Sequence, residues 1–273
     1  MIKSLLRGDL SAMNADRSAL HSVVQRLAAR SPLTIEEQDA ILNVRHKLEY
    51  VARNRNIWRP QLSERHVHVL VSGLTGVFRQ ARNGIRQITS IHVSGDIIGL
   101  EQIVASHLML GLESLTDTSL LILSLPDLRR LADRYPAIAM AFWQESADLT
   151  RIIAERLFTI RSLGAYPRLA HLFCEMAIRS DAVPTRESKS FSFPFAANQH
   201  HIADVLALTP VHVNRMLREL RERNVMGLQN RSVTVHNWNV MQDVASFDAA
   251  YLRPRWKNAA VDCRSDGNAT KLR

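Results

Sequence analysis

The residues best equipped to meet a partner lie in one stretch, Asn198 to Arg223, NQHHIADVLALTPVHVNRMLRELRER. In its second half Val213, Met216, Leu217 and Leu220 recur at i, i+3, i+4 and i+7, the apolar stripe of a 3.6-period helix. With that stripe turned to a core, Pro210, Val211, Asn214, Arg215 and Arg218 face outward. An arginine fork pairs with O6 and N7 of guanine, and an asparagine amide pairs with adenine, so this face has major-groove chemistry. His212, on the flank, is placed for a phosphate. Arginine and asparagine alone would also suit a solvated helix face, but the local punctuation points further. The Thr209 hydroxyl can accept from an unsatisfied N–H of the first turn, and Pro210 follows at N1, where no N–H is missed. The preceding segment turns Ile202, Val205 and Leu206 inward, and only about three or four residues separate the two segments, the turn length of a helix-turn-helix.

At these residues the chain resembles the Crp/Fnr family of bacterial transcription regulators. LTPVHVNRMLREL is similar to the family's recognition helix and IADVLAL to the helix before it. The resemblance implies that Arg215 reads a base, with Asn214 and Val211 assisting, while Thr209, His212, Arg218 and, further on, Arg231 hold phosphates. Two departures stand out. Val211 sits where many members have a glutamate that accepts from cytosine, so the resemblance does not carry over the family's usual half-site. Ala207 replaces the turn glycine, and a side chain there is strained if φ is positive.

The elements that position this stretch can be read from the rest of the chain. The 273 residues, 46% of them hydrophobic, are enough for two domains with cores of their own. A formal charge of +9 favours a polyanionic partner, nucleic acid or an acidic membrane surface. There is no run of about 18 apolar residues to span a membrane. Arg7, Asp9 and Asp16 interrupt what would be the apolar core of a signal peptide, so the expected location is the cytoplasm, with no membrane partner.

Residues 18–47 read as two short helices broken at Ser31-Pro32, the second capped by Thr34 in TIEE. From about Val51 to Leu125 short β-branched runs take over, clearest at His66–Val71, Ile85–Val93 and Ser119–Leu125. Asn83-Gly84 is a hairpin turn, and the spacing suits a sandwich or barrel. LVSGLTGVF, RNGIRQI and HVSGDIIGL resemble pieces of the β-roll that Crp/Fnr proteins share with cyclic-nucleotide-binding modules. In members that bind such ligands a glutamate after a glycine holds the ribose and an arginine neutralises the phosphate. Gly99 and Glu101 match the first pair and mark a candidate effector pocket, but no arginine or lysine lies between Arg86 and Arg129. A buried phosphate without a cation is disfavoured, so cyclic AMP and GMP are not expected.

Two cysteines, Cys174 and Cys263, cannot provide the four ligands of an ordinary iron–sulfur cluster, and Cys174 among Leu172, Phe173 and Met176 reads as a buried inert thiol. His66, His68, His92 and His107 show no metal-ligand spacing and read as exposed or hydrogen-bonded strand residues; His200 and His201 are expected near phosphates or solvent. No nucleophile elbow, P-loop or dinucleotide fingerprint occurs, so no enzyme and no cofactor or metal is expected.

After the roll, Asp127-Leu128-Arg129 opens a short helix that Tyr135-Pro136 ends. A long helix follows over 137–163, with Trp143, Thr150, Ile153, Leu157 and Ile160 on a seam suited to a parallel partner and also to its own roll. Gly164 and Pro167 mark a hinge. RLAHLFCEMAIR resembles the helix that opens the family's DNA-binding domain, and Phe191–Phe195 forms a small strand pattern. Gly227-Leu228 and Ser232–Val235 read as a two-stranded wing with Asn230-Arg231 at its turn, and HNWNVMQDVASFDAAYL resembles the closing helix of one Crp/Fnr subgroup.

The expected fold is therefore α+β: an extension over 1–17, a roll with N-terminal helices over 18–136, a dimerisation helix over 137–163, a winged helix-turn-helix over 164–252 and a disordered polar tail over 253–273. The resemblance implies a homodimeric regulator on palindromic double-stranded DNA, with RNA polymerase as a further partner and a signal other than cyclic AMP. Two alternatives remain: a small-molecule or redox receptor whose main output is protein contact, and a haem or metal sensor that still binds DNA. An absorption spectrum and the salt dependence of DNA binding separate them.

Overall fold

The computed structural model describes residues 18–59, 66–105, 110–183 and 190–252. The terminal segments, His107, Cys263 and the Pro184 connection lie outside the described residues. Helix α1 (18–28) and α2 (Ile35–Leu42) come first. Thr34 and Glu37 close a reciprocal capping box at the start of α2. The helix stops at Leu42 rather than continuing to Lys47, because Asn43 leaves helical geometry and β1 (His46–Val51) starts at once. That strand, HKLEYV, carries charges among its apolar residues and lies at a sheet edge, which explains why it lacks a clear strand signature.

Strands β2 (Asn56–Trp58), β3 (His66–Ser72), β4 (Thr75–Gln80), β5 (Arg86–His92), β6 (Ile97–Ile98), β7 (Leu110–Ser114) and β8 (Thr118–Ser124) complete a roll of two antiparallel sheets, ordered β1-β8-β3-β6 and β2-β7-β4-β5. Gly84, at φ 84°, sits in the tight β4–β5 turn, where the Ala81 N–H donates to the Ile85 carbonyl. Alternation along the strands divides their side chains between two cores. Val67 and Val69 of β3 and Leu121 and Leu123 of β8 face α1 and α2, whereas Leu70, Leu120 and Ile122 pack in the roll interior.

Helix α3 (Leu125–Arg134) begins two residues before Asp127, with Pro126 in its first turn. Asp127 instead accepts from the backbone N–H and guanidinium of Arg45, so it ties α3 to β1. Helix α4 (Pro136–Ser162) is 27 residues long, roughly 40 Å at 1.5 Å per residue. Its inner face buries Ile138, Ala141, Phe142 and Glu145. The opposite face holds Trp143, Ile153 and Leu157 at 62%, 59% and 59% exposure, with Thr150 also exposed and Ile160 half-buried. Packing of the same seam on its own roll is therefore not seen for these exposed residues; Met140 and Phe158 extend the exposed apolar face.

Helix α5 (Ala165–Arg179) is buried along most of its length and opens the second domain. Strand β9 (Phe191–Pro194), α6 (Gln199–Leu206), α7 (Pro210–Glu222), β10 (Met226–Gln229), β11 (Ser232–Val235) and α8 (Trp238–Ala245) follow. The wing is three-stranded, ordered β10-β11-β9, because the Phe191–Pro194 segment pairs with β11 rather than standing alone. One apolar cluster joins this domain to the roll, with Phe78, Ile88 and Ile91 packed among residues of α5, α6 and α7. Gly111 makes room for that contact, since a Cβ there would overlap the Phe78 ring.

Candidate nucleic-acid interface

Local chemistry fixes the start of each helix. The Asn198 side chain accepts from the His201 N–H at 2.9 Å, and the His201 ring turns back toward the Asn198 N–H at 3.3 Å, an imidazole version of the capping box. His201 is thus half-buried and held in a structural contact, and burial lowers its pKa; His200 is exposed. Thr209 caps α7 by accepting from the His212 N–H at 3.2 Å, with Pro210 in the first turn. Between the helices Ala207 adopts φ 51° and ψ 47°, the left-handed geometry that a glycine would adopt without steric strain. The Leu208 N–H then donates back to the Ala203 carbonyl at 2.9 Å, which closes α6.

The pitch of α7 sorts its residues as the spacing predicts. Val213, Met216 and Leu220 are buried and Leu217 is half-buried, while Val211, His212, Asn214, Arg215 and Arg218 are exposed, Val211 at 75%. Asn214 and Arg215 have no side-chain partner among the described residues. Arg218 lies 3.7 Å from Glu222 in a solvent-exposed pair, too weak a contact to hold it. Asn230 and Arg231, both at positive φ, form the two-residue turn between β10 and β11, with Gln229 opposite Ser232. Arg231 is exposed, and its carbonyl accepts from the Phe195 N–H at 2.8 Å, so the turn is anchored to the segment after β9.

Arg168 plays a part that its sequence position does not announce. Its guanidinium donates to the Leu206 carbonyl at the end of α6 and to the Ile160 and Leu163 carbonyls at the end of α4, all within 2.7–2.8 Å. It joins the helix-turn-helix to the long helix by capping both ends with one fork. Asp204 of α6 is fixed from the other side, accepting from the Ile88 N–H at 3.3 Å, while its carbonyl takes the Gln87 amide at 3.0 Å. The Arg168–Leu206 and Asp204–β5 contacts have no sequence signal, since they join residues far apart in the chain.

The second candidate site has different chemistry. Gly99, at φ 94°, leads into a 3-10 turn over Leu100–Ile103, and Glu101 is half-buried with no side-chain partner among the described residues. Arg129, the first arginine beyond this stretch, donates to the Gln102 and Ile103 carbonyls at 2.6 and 3.1 Å. Inside the roll Trp58, Val77, Ile98 and Leu112 pack together near Leu70, Leu120 and Ile122. His68 sits against Trp58 with its Nδ1 unpaired, so it is neither exposed nor hydrogen-bonded there, and burial pushes its pKa down to about 3. Cys174 is fully buried, and burial raises its thiol pKa. No group of three or more metal-ligating side chains occurs among the described residues, nor any helix long and apolar enough to cross a membrane.

A β-roll, a long helix with an exposed apolar face and a winged helix-turn-helix define a class of DNA-binding proteins. Comparison with known proteins narrows the class. A family model described as a Crp-like helix-turn-helix domain matches residues 167–244. The nitrogen fixation regulation protein FixK of Azorhizobium caulinodans is 29% identical over 178 residues, 65% of this chain and 70% of that protein. An anaerobic regulatory protein of Haemophilus influenzae is 20% identical over 210 residues, 76% of this chain and 80% of that one. Among solved structures, FixK2 from Bradyrhizobium japonicum superposes with a TM-score of 0.66 at 21% identity, covering 76% of this chain and 100% of that one. A CRP-family regulator from Thermus thermophilus gives 0.58 at 18%, over 73% and 97%; at such identities these two structures speak for the fold alone. Residues 167–244 form a Crp-like helix-turn-helix DNA-binding domain, and the chain is similar to transcription regulators of the Crp/Fnr type.

Proposed function

We propose that the protein is a homodimer that binds a palindromic DNA site through α7. The observation that carries this reading is the outward face of a firmly capped helix, on which Val211, Asn214 and Arg215 stand in solvent. Arg215 reads a base, with Asn214 and Val211 beside it, and Thr209, His212, Arg218 and Arg231 meet phosphates. The exposed apolar face of α4, with Trp143, Thr150, Ile153, Leu157 and Ile160, pairs with its counterpart in a second copy. The two recognition helices then enter successive major grooves roughly 34 Å apart.

The lack of an ion pair to Glu101 among the described residues and an apolar roll interior support a signal other than a cyclic nucleotide. With two cysteines in the chain, an iron–sulfur cluster is not part of this reading. The protein acts in the cytoplasm, with RNA polymerase as its further partner, and catalyses no reaction.

Selection from random duplex DNA by the purified protein, without added ligand and at two salt concentrations, tests the reading. An enriched palindrome is the expected outcome, with affinity falling steeply as salt rises. Absence of any salt-sensitive DNA binding would overturn it. Salt-sensitive binding without enrichment would leave the DNA contact standing and mean that recognition of the site needs the effector.

A further inference from the structure

A chain of buried charges runs from the N-terminal helix through the roll and the long helix into the DNA-binding domain. Arg26 of α1 donates to Glu145 of α4 through Nε at 2.8 Å and through Nη2, and to the Gly95 carbonyl at 2.5 Å. Its Nη2 also lies 3.7 Å from Asp96. Asp96, in the β5–β6 turn, accepts from the Val93 N–H at 2.9 Å and from Arg179 of α5 at 2.6 Å. His92 Nδ1 is 3.4 Å away. Arg179 also reaches Glu175 at 2.7 Å, and Arg156 of α4 donates to both Glu175 oxygens at 2.7 Å. Arg30 adds contacts to Glu145 at 3.2 Å and Asp148 at 2.8 Å.

All six principal side chains are nearly inaccessible, from 0% for Glu145 to 9% for Arg26. Three arginines, Arg26, Arg156 and Arg179, balance three acids, Asp96, Glu145 and Glu175. Buried charges of this kind are poor general glue, because desolvation offsets much of their attraction. What they supply is discrimination between arrangements: a shift that separates one pair strands a charge away from water. The Asp96–Arg179 pair is a direct charge contact between the roll and α5. Asp96 is itself held by the roll, since the Leu70 N–H donates to its carbonyl at 2.9 Å and the Gly95 N–H donates to the Leu70 carbonyl at 2.6 Å. Leu70 belongs to the roll interior.

We infer that Asp96 and Arg179 are positioning residues for DNA binding: their pair sets the orientation of the winged helix-turn-helix on the roll and relays movement of the roll interior, through Leu70 and the Gly95-Asp96 turn, to α7. This rests on the DNA-binding reading above. A rearrangement of β3 displaces the Asp96 carboxylate from the Arg179 fork, and α5 carries the displacement into the core that it shares with α6 and α7.

The test uses the full chain carrying spin labels at Tyr50→Cys in the roll and Arg221→Cys in α7, with Cys263→Ser, diluted into an excess of unlabelled protein. Asp96→Asn, Arg179→Gln and the charge-retaining Arg179→Lys are compared for label-to-label distance without DNA, for affinity to the selected site, and for thermal unfolding. The expected result is a broadened distance distribution and an affinity loss of about 5–150-fold, the usual span of coupling between distinct sites, in variants that remain folded. The double variant Asp96→Asn/Arg179→Gln, which restores neutrality, should recover part of the loss. Unchanged distance and affinity in whichever variants fold would overturn the inference. Because the distance is read without DNA, failure of the parent reading would appear separately, as loss of DNA binding in the unsubstituted chain.

Discussion

On α7, Arg215 and Arg218 stand in solvent with at most one weak neighbour, while a few elements away Arg26, Arg156 and Arg179 are buried and each is clasped by a carboxylate. The side chain is the same; what differs is whether the fold supplies the anion. Where it does, the arginine fixes one domain against another. Where it does not, the guanidinium fork remains available to an anion or a base edge from outside. An exposed pair such as Arg218–Glu222 yields readily to a phosphate because water already weakens it, whereas the Arg179–Asp96 pair has no such substitute.

The contrast breaks most visibly at Glu145, the acid shared by Arg26 and Arg30. Glu145→Ala should destabilise the protein by about 3–5 kcal/mol by removing the buried acid that both guanidinium groups share, whereas Glu222→Ala should change stability by less than about 0.5 kcal/mol. Urea unfolding measures both, and similar values for the two would erase the distinction.

Acid gives the next effect, through a group that is buried without any partner charge. His68 stays neutral in the folded roll down to about pH 3 but takes a proton near 6.5 when unfolded, so stability is full above 6.5 and falls as the pH drops from there toward 3. By pH 4 the loss amounts to about 3 kcal/mol. His68→Leu should flatten that portion of the stability–pH curve, and an unchanged slope would show that the imidazole is not the group responsible.

On the exposed side, Arg215→Ala should cost about 1–3 kcal/mol on the selected site and little on random DNA, relaxing preference at one base pair. Arg231→Ala should weaken both alike and reduce the slope of log affinity against log salt by about one. Equal losses on both DNAs for Arg215→Ala would reassign it to the phosphates. Ala207→Gly, measured by thermal unfolding, should give a small gain of up to about 1 kcal/mol from release of the left-handed strain, partly offset by the freedom glycine gains when unfolded.

How legible each part was follows from the range of the forces that shape it. Thr209, Pro210 and the Val213–Leu220 stripe act within four or five residues of one another, so the recognition helix and its outward face are written in consecutive letters. The strand runs and the Asn83-Gly84 turn are local in the same sense, and the roll emerges from them. Strand β1 escaped because a sheet edge tolerates charges among its apolar residues, and the helix before it has no glycine to announce its end. His68 looked like an ordinary strand histidine because alternation shows that it shares a face with Leu70 but not that the face is interior.

The sequence by itself determined the helix-turn-helix, its caps, the amphipathic long helix and the alternating strands, because hydrogen bonding and side-chain periodicity along a backbone need only near neighbours. Only the tertiary structure decided which arginines lock the domains together. Arg26 meets Glu145 across 119 residues and Arg179 meets Asp96 across 83. Such pairs carry no spacing rule, since charge attraction is indifferent to sequence separation and becomes selective only once packing has removed the water between the partners.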